Sequence, residues 1–347
     1  MSIKEVAKRA GVSIATVSRA INVPEKVHPR TVERVQRAIE KLGYRPNLTA
    51  RALKTGRTNL VGLVVPDLVH SFFAELARGL SRALREEGIS VVIASSEEDP
   101  ELEQGAIDHL LDRGVDALLI ASVQLNKDTF QKVTKQKVPF ILVDRVISGL
   151  SANFVGVKDE TVGYIATEHL IQVGCRNVAH ISGTRISTAV GRLAGYKRAI
   201  KEYGLTSNPD HIVTVEKLDQ SADVAGYRAA MKLLSLPERP DGIFCFNDPV
   251  AIGAMNAILA QGLRIPEDIA LIGSGNLHFD DALRIPLSTV DQCSEMIGQS
   301  AALLAMNLIE AKSATSPKTV FLTPTVVARE STKRFKVDSI PEISIQQ

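Results

Sequence analysis

Apolar residues recur at helical spacing in two short stretches near the start of the chain. The first stretch contains Ile3, Val6, Ala7 and Ala10, and the second contains Val17, Ala20 and Ile21. Gly11 suits a tight turn between them, and Ser13 suits the cap of a second helix over about residues 14–21. A third amphipathic stretch, over about 29–42, can close a small core. The pattern predicts a helix-turn-helix, in which the second helix enters the major groove of DNA.

From residue 60 onward, short apolar runs alternate with longer amphipathic stretches. Such alternation indicates parallel sheets covered by helices, and two sets of it predict two doubly wound lobes. The predicted strands are Leu60–Val65, Val91–Ala94, Ala117–Ala121, Phe140–Val143, Val178–Ser182, Ile212–Val215, Gly242–Phe246 and Ala270–Gly273. The predicted helices cover about 72–87, 100–113, 127–136, 160–173, 188–203, 221–235 and 249–261. The fold class is therefore predicted as α/β, with an all-α head followed by two lobes.

The charge distribution supports this division. The 347 residues carry a formal net charge of only +2. Residues 1–59 contain 13 basic and 4 acidic residues, a net of +9, whereas the remainder contains 28 basic and 35 acidic residues, a net of −7. A basic head on a mildly acidic body is typical of a polyanion-binding module attached to another domain.

The outer face of the second helix supplies the candidate base readers. Ile14 and Ala15 lie at its start, and Arg19 follows about one turn later. Arginine reads guanine through paired hydrogen bonds, and small apolar side chains contact the thymine methyl group. Phosphate contacts are predicted for Ser13, Thr16, Ser18 and Asn22. The alternative is that Arg19 is an ordinary solvated surface charge.

The segment from Gly43 to Thr58, Gly-Tyr-Arg-Pro-Asn-Leu-Thr-Ala-Arg-Ala-Leu-Lys-Thr-Gly-Arg-Thr, resembles the hinge of the lactose/galactose repressor family. The head, with Ile-Lys-Glu-Val-Ala-Lys-Arg-Ala-Gly-Val-Ser from Ile3, resembles that family too. The resemblance implies a short hinge helix on operator DNA, with Leu53 wedged into the minor groove and Arg51 and Lys54 beside it. Such a wedge unstacks a base step and kinks the duplex. Asn47 belongs to the same predicted DNA contacts.

Over about residues 2–330 the resemblance extends to the family's effector domain, which is related to periplasmic sugar-binding proteins. It implies three chain crossings between the lobes, with the tail strands and a helix at about 293–311 returning to the first lobe. The predicted divisions are a head over 1–45, a hinge helix and linker over 46–59, a first lobe over 60–158 with 290–330, a second lobe over 159–289, and a loose tail over 335–347.

Ligands of open α/β sheets bind at the carboxyl ends of the strands, and several strands here end in polar groups. The resemblance implies an effector pocket lined by Phe72, Thr188, Arg192 and Asn247, with Asp144 beside it. The guanidinium of Arg192 suits sugar hydroxyls, a phosphate or a carboxylate. As alternatives, Phe72 is a core residue, and Asp144 satisfies donors in a turn. Asp248, after Asn247, is expected to cap the following helix.

The sequence departs from the family pattern after the last strand of the second lobe. Gly275 stands where sugar- and purine-responsive members have a ligand-binding aspartate, so the pocket would hold polyols less well or use Asn276 instead. Ile186 stands where purine-responsive members have an arginine, which argues against a purine corepressor. A protein co-effector, as in the carbon-catabolite branch of the family, is the alternative.

Enzyme classes find little support in the motifs. No Gly-x-Gly-x-x-Gly follows a strand, and neither a Gly-x-x-x-x-Gly-Lys-Ser/Thr loop nor a Gly-x-Ser-x-Gly elbow is present. The histidines lack metal-ligand spacing, so neither a cofactor nor a metal is expected. The three cysteines, Cys175, Cys245 and Cys293, are widely spaced, which fits a reducing compartment. A cytoplasmic location is expected, because the sequence has neither a signal peptide nor a run of about 18 apolar residues.

These observations predict a sequence-specific transcription regulator, most simply a repressor, acting as a homodimer on near-palindromic operator DNA. A small polar effector, a sugar or sugar phosphate, would bind between the lobes and modulate operator affinity. Effector identity, the direction of its action and a tetrameric state stay open at this point.

Overall fold

The computed structural model describes residues 1–44, 56–215, 222–311 and 316–334. The chain forms two compact units, residues 1–58 and residues 59–347. The predicted hinge contacts Asn47, Arg51, Leu53 and Lys54, and the predicted tail over 335–347, lie outside the described residues.

The first unit contains three helices, α1 (Ile3–Ala10), α2 (Ile14–Asn22) and α3 (Pro29–Leu42). Gly11 ends α1 in the left-handed region, at φ 64°, which glycine adopts without a steric penalty. Arg34 of α3 donates hydrogen bonds to the carbonyl groups of Ala10 and Gly11, so it fixes the turn between α1 and α2. The buried core consists of Val6, Ala7, Ala10, Val17, Ala20, Val35 and Ala38. The predicted helix-turn-helix is confirmed.

The second unit alternates strands and helices, as the sequence predicts. Its first part contains β1 (Leu60–Val65), α4 (Ser71–Glu86), β2 (Ser90–Ser95), α5 (Pro100–Asp112), β3 (Ala117–Ile120), α6 (Gln131–Gln136), β4 (Phe140–Val143) and β5 (Asn153–Val157). The middle part contains α7 (Asp159–Gln172), β6 (Val178–Ser182), α8 (Ser187–Glu202), β7 (Ile212–Thr214), α9 (Ala222–Leu234), β8 (Gly242–Cys245), α10 (Asp248–Ala260), β9 (Ala270–Ser274) and β10 (Ser288–Asp291). The last part contains α11 (Ser294–Glu310), β11 (Thr319–Leu322) and β12 (Thr325–Val327).

Within the described ranges, these strands form two six-stranded sheets. The first sheet has the order β11-β5-β4-β3-β1-β2 and is parallel throughout. The second has the order β12-β10-β9-β8-β6-β7 and is parallel except for β12, which runs antiparallel to β10. Hydrophobic clusters cover both faces of each sheet. The predicted fold class is confirmed.

Some placements differ from the sequence expectations. β5 was not predicted, and β10 spans residue 289, where the second lobe was expected to end. The expectation that all tail strands return to the first lobe is wrong for β12, because its backbone pairs with β10 in the second sheet. β11 and α11 do join the first lobe. The described chain crosses between the sheets after β5, after β10 and after β11.

The first lobe depends on close backbone contact between α4 and α11. A Cβ atom added at Gly298 of α11 would lie only 2.0 Å from the carbonyl oxygen of Leu76, and one at Gly79 would lie 2.1 Å from the carbonyl oxygen of Glu295. Neither backbone can move aside without separating the helices, so glycine is required at this crossing.

We predict that Gly298→Ala destabilises the protein by at least about 1–3 kcal/mol, because the added methyl group overpacks the helix crossing. Gly105→Ala is the matched control, since Gly105 lies in α5 with open space around it; there the higher helix propensity of alanine should raise stability by up to about 1 kcal/mol. Urea unfolding of both variants measures the difference. Equal effects at the two positions would contradict the packing argument.

Candidate functional site

The second helix of the head presents its predicted reading face to solvent. Ile14, Ala15 and Arg19 are exposed, whereas Val17 and Ala20 on the opposite face are buried in the core. The large apolar side chain of Ile14 is 43% exposed at the start of the helix. An exposed apolar group at a helix start, followed one turn later by a free-standing arginine, suits contact with base edges.

The predicted phosphate contacts surround this face. Ser13 caps α2, because its Oγ accepts a hydrogen bond from the backbone N–H of Thr16 at 3.1 Å, and the two hydroxyl groups lie 2.9 Å apart. Asn22 donates from Nδ2 to the carbonyl of Ser18 at 2.8 Å. These side chains are therefore pre-positioned at the two ends of the reading helix, and they retain polar capacity toward solvent.

The candidate effector site is a cavity between the two lobes of the second unit, at the carboxyl ends of the strands. Its lining residues are Asp67, His70, Phe72, Phe73, Glu98, Asp144, Arg145, Thr188, Arg192, Phe246, Asn247, Ser274 and Gln292. The cavity volume is about 40 Å³, enough for about three or four water molecules at roughly 10–15 Å³ of accessible volume each. A sugar-sized ligand therefore requires the lobes to separate or the lining side chains to move.

Arg192 is the central polar residue of the second lobe and is only 4% exposed. Its guanidinium donates to Asp159 Oδ1 at 3.1 Å, to the carbonyl of Phe246 at 2.7 Å and to Gln292 Oε1 at 2.7 Å, and it lies 4.7 Å from the Phe246 ring centroid. Burial raises the pKa of Asp159 to about 7, although the charge of Arg192 opposes that rise. Arg192 thus reaches the cavity while its charge is balanced inside the protein.

A second arginine, which the sequence analysis missed, lines the cavity from the first lobe. Arg145 forms a bidentate ion pair with Glu98, at 3.0 and 2.7 Å, and its Nε lies 3.8 Å from Asp144 Oδ2. That Nε is buried without a hydrogen-bond partner. Asp144 itself follows β4 in the left-handed region, at φ 63°, and burial raises the pKa of its carboxyl group. Asp144 and Arg145 both line the cavity, and the Arg145 Nε is a donor whose hydrogen-bonding capacity is unused.

One contact joins the lobes across the cavity. Asn247 Nδ2 lies 3.4 Å from His70 Nε2, while His70 Nδ1 accepts a hydrogen bond from the backbone N–H of Phe72 and so caps α4. Burial lowers the pKa of His70 to about 4, with Arg145 and Arg192 adding to the effect, so the ring is neutral. Asn247 also caps α10 through Val250. The expectation that Asp248 is this cap is therefore wrong.

Of the predicted pocket residues, Phe72, Asp144, Thr188, Arg192 and Asn247 line the cavity, and Asn276 does not. Asn276 has a left-handed backbone, at φ 53°, and its amide bonds instead to Asp291 Oδ2 and to Arg329. Ser274 and Gln292 line the cavity nearby and bond to each other at 3.0 Å. The structure also gives a reason for glycine at position 275, where the family pattern has an aspartate. A Cβ atom at Gly275 would lie 2.7 Å from Asp248 Oδ2.

Two further classes of site find no support. In the described part of the chain, no group of three or more His, Cys, Asp or Glu side chains could hold a metal ion. Among its helices, none is both long enough and apolar enough to span a bilayer.

Comparison with known proteins matches both units. Residues 58–330 match the family described as periplasmic binding proteins and sugar binding domain of LacI family, and residues 2–47 match bacterial regulatory proteins, lacI family. The chain is 32% identical to the HTH-type transcriptional repressor PurR of Aliivibrio salmonicida, over 95% of this chain and 98% of that protein. It is also 32% identical to catabolite control protein A of Priestia megaterium, over 96% of this chain and 99% of that protein.

Solved structures agree. The Lac repressor dimer bound to operator and the anti-inducer ONPF superposes with a TM-score of 0.84 at 26% identity, covering 96% of this chain and 99% of that chain. The CelR–cellobiose complex gives a TM-score of 0.71 at 29% identity, covering 95% of this chain and 99% of that chain.

A helix-turn-helix unit followed by a two-lobed domain with an interlobe cavity defines a DNA-binding transcriptional regulator with a ligand-binding effector domain. The chain belongs to the lacI family of bacterial regulatory proteins.

We predict that Arg192→Met destabilises the second unit by about 3–5 kcal/mol at alkaline pH, because it leaves the buried Asp159 carboxylate without its partner. Below about pH 7 the Asp159 carboxyl group is protonated in wild type and in Arg192→Met alike. Above about pH 7 the wild type ionises Asp159 beside Arg192, whereas the variant must either keep Asp159 protonated or bury its charge without a partner. The stability gap between wild type and variant should therefore widen as the pH rises through about 7.

Denaturant unfolding between about pH 5 and 9 measures this gap. Asp159→Asn in the Arg192→Met background removes the unpaired charge and should restore much of the loss at high pH. A gap that is constant with pH, or a double variant no more stable than Arg192→Met, would sink the ion-pair interpretation.

Proposed function

We propose that the protein is a homodimeric repressor that binds a near-palindromic operator through Ile14, Ala15 and Arg19, with backbone contacts from Ser13, Thr16, Ser18 and Asn22. It acts by binding rather than by catalysis. The observation that carries the DNA-binding part is the exposed reading face of α2 on a rigid three-helix core. Two such heads related by a twofold axis match half-sites one helical turn apart.

The hinge contributes further DNA contacts in this proposal. Leu53 wedges into the minor groove at the centre of the operator, and Asn47, Arg51 and Lys54 bind beside it. This assignment rests on the sequence resemblance alone, since those residues lie outside the described part of the structure.

We predict that Arg19→Ala weakens operator binding by about 1–3 kcal/mol and relaxes the preference at one base pair, because Arg19 reads a base edge. Arg37→Ala is the control, since Arg37 is an exposed arginine of α3 paired with Glu33; its loss should alter binding similarly on all sequences. Binding of both variants to an operator selected from random DNA, and to its point variants, separates the two roles. Uniform weakening by Arg19→Ala on every sequence would make Arg19 a phosphate contact.

For the effector, we propose a neutral polyhydroxylated molecule, a sugar rather than a sugar phosphate, in the interlobe cavity. The charged side chains around the cavity favour a neutral ligand over a phosphorylated one. Arg145 is balanced by Glu98 and Asp144, Arg192 is balanced by Asp159 once that carboxyl group is ionised above about pH 7, and His70 is neutral. A phosphate would be buried without a spare cation, which is costly. Hydroxyl groups could instead use Asp144, Thr188 and the unpartnered Arg145 Nε, against the walls formed by Phe72 and Phe246.

A protein co-effector is the second candidate. It is favoured by the small free volume of the cavity, about 40 Å³, and by the sequence identity to catabolite control protein A, which at 32% equals the identity to the HTH-type transcriptional repressor PurR.

We predict that neutral sugars raise the melting temperature of the full-length protein, whereas the corresponding sugar phosphates do not. A ligand that binds only the folded state stabilises it by about 2.7 kcal/mol at one hundred times its Kd. Calorimetric scans with matched sugar and sugar-phosphate pairs provide the measurement, and Asp144→Asn should weaken any shift. A larger shift with the phosphate than with its parent sugar would contradict the charge argument, and no shift with either class would favour the protein co-effector.

A further inference from the structure

Two buried carboxyl groups lie beside the cavity without belonging to its lining. Asp248 is the first residue of α10, and Asp280 begins the short helical turn Asp280–Ala282 after β9. Both are fully buried. Each points an oxygen at the same donor, the backbone N–H of Leu277, with Asp280 Oδ2 at 2.8 Å and Asp248 Oδ2 at 3.4 Å. Two carboxylates that converge on one N–H group repel each other unless a proton lies between them.

Among the described residues, the cation nearest the two carboxyl groups is Arg329, and its guanidinium already donates to Asp281, to Asn276 and to the carbonyl of Leu287. The hydroxyl of Thr289 donates to Asp248 Oδ1 at 2.7 Å, and Gly273 and Gly275 pack against the same carboxyl group. Asp280 Oδ1 is buried without a hydrogen-bond partner. The charged and titratable groups nearest the pair are Cys245, which is buried and neutral, Asp281, and Arg329, which is itself paired with Asp281 and bonded to Asn276.

The same loop bridges the lobes. Residues 275–282, here called the clasp, leave the second sheet after β9, with positive φ angles at Gly275 and Asn276. Leu277 of the clasp is only 2% exposed and belongs to the hydrophobic cluster of the first lobe, which includes the cavity-lining Phe72 and Phe73. Phe279 packs against that cluster as well. The backbone of Leu277 is thus held by carboxyl groups of the second lobe while its side chain is buried with the first.

We propose that Asp248 and Asp280 share one proton, and that this carboxyl pair positions the clasp so that Leu277 holds the two lobes together. In this pair the proton lies on Asp280 Oδ2, the oxygen that meets Asp248 Oδ2 at the Leu277 N–H group, and it is donated to Asp248, whose charge is favoured by the donors from Thr289 and the clasp backbone. Because the pair adjoins Asn247 and Ser274 of the cavity lining, it is a positioning element for lobe closure. Only its consequence for effector response rests on the function proposed above.

Electrostatics agree with this geometry. Burial, the charge of Asp248 and the hydrogen bond between the two groups raise the pKa of Asp280 to about 8. Since this is above the value near 4 of an unfolded aspartate, the folded state binds more protons between about pH 4 and 8, and its stability falls as the pH rises through that window. Above about pH 8 the pair loses its proton and the clasp bears the full repulsion.

The test compares the full-length wild type with Asp280→Asn, whose amide can donate to Asp248 without titrating. Asp223→Asn is the matched control, since Asp223 is an exposed aspartate in the first turn of α9 in the same lobe. The ratio of the folding equilibrium constant of Asp280→Asn to that of wild type should rise by as much as about tenfold per pH unit from pH 5 to 8. Above pH 8 this ratio should become constant. Other titrating groups, such as Asp159, are common to both proteins and cancel in the comparison.

Two measurements do not need the effector. The infrared carbonyl band of protonated carboxyl groups at neutral pH should be weaker in Asp280→Asn than in wild type. Hydrogen exchange of the clasp amides, corrected for intrinsic base catalysis, should accelerate above about pH 8 in wild type but not in Asp280→Asn.

An unchanged infrared band, the same pH profile for wild type and Asp280→Asn, or an equal effect of Asp223→Asn would overturn the shared proton. Identical clasp exchange in wild type and Asp280→Asn across the pH range would overturn its positioning role. If Asp280→Asn fails to fold, the infrared band and the pH profile of clasp exchange in wild type still test the shared proton and its effect on the clasp. None of these outcomes depends on whether a sugar binds the cavity.

Discussion

The guanidinium of Arg192 connects the parts of the second lobe that face the first. It bonds to Asp159, just after the first chain crossing, to the carbonyl that follows β8, and to Gln292 at the second crossing. A buried arginine must place its donors on such partners, because an unpaired charge in this environment is costly. The end of β8 and both crossings are therefore fixed relative to α8. A ligand that competes for any of these bonds acts directly on segments that connect the two lobes.

The cost of leaving a buried arginine unpaired also explains the charge balance in the cavity. Each arginine that reaches the cavity is paired with a carboxylate of its own lobe, Arg145 with Glu98 and Arg192 with Asp159. The contacts that cross between the lobes include the long one between His70 and Asn247, a hydrogen bond from the backbone N–H of Val146 to Ser187 Oγ at 3.0 Å, and the burial of Leu277 in the core of the first lobe. These contacts are not ion pairs, so a ligand that changes a few of them can shift lobe closure. That is the condition under which a weakly bound neutral ligand can change the population of a closed state.

Sequence patterns predicted the head and the α/β order well, because helical and strand periodicities report directly which faces are buried. The exposure of Ile14, Ala15 and Arg19 is one example. The pairing of Arg145 with Glu98 could not be predicted in this way, because the partners are 47 positions apart and meet only through the strand order of the first sheet. Asn276 was chosen by its position, but its left-handed backbone turns the amide toward Asp291 and Arg329. The tail strands were expected, but the pairing of β12 with β10 was not, because the partner of a strand, unlike the strand itself, leaves no local pattern.

The absence of a side chain at Gly275 and the presence of a carboxyl group at Asp280 are two aspects of one local arrangement. Asp248 Oδ2 occupies the space next to Gly275, so a side chain there would collide with the carboxyl pair. An acceptor from position 275 is therefore incompatible with the pair, and the carboxyl groups stabilise the clasp instead of facing a ligand. The residues that precede the two, Asn247 before Asp248 and Ser274 before Gly275, both line the cavity. A ligand that moves either residue also moves the neighbour that contacts the pair, and this covalent link is how the cavity and the clasp would be coupled in the mechanism proposed above.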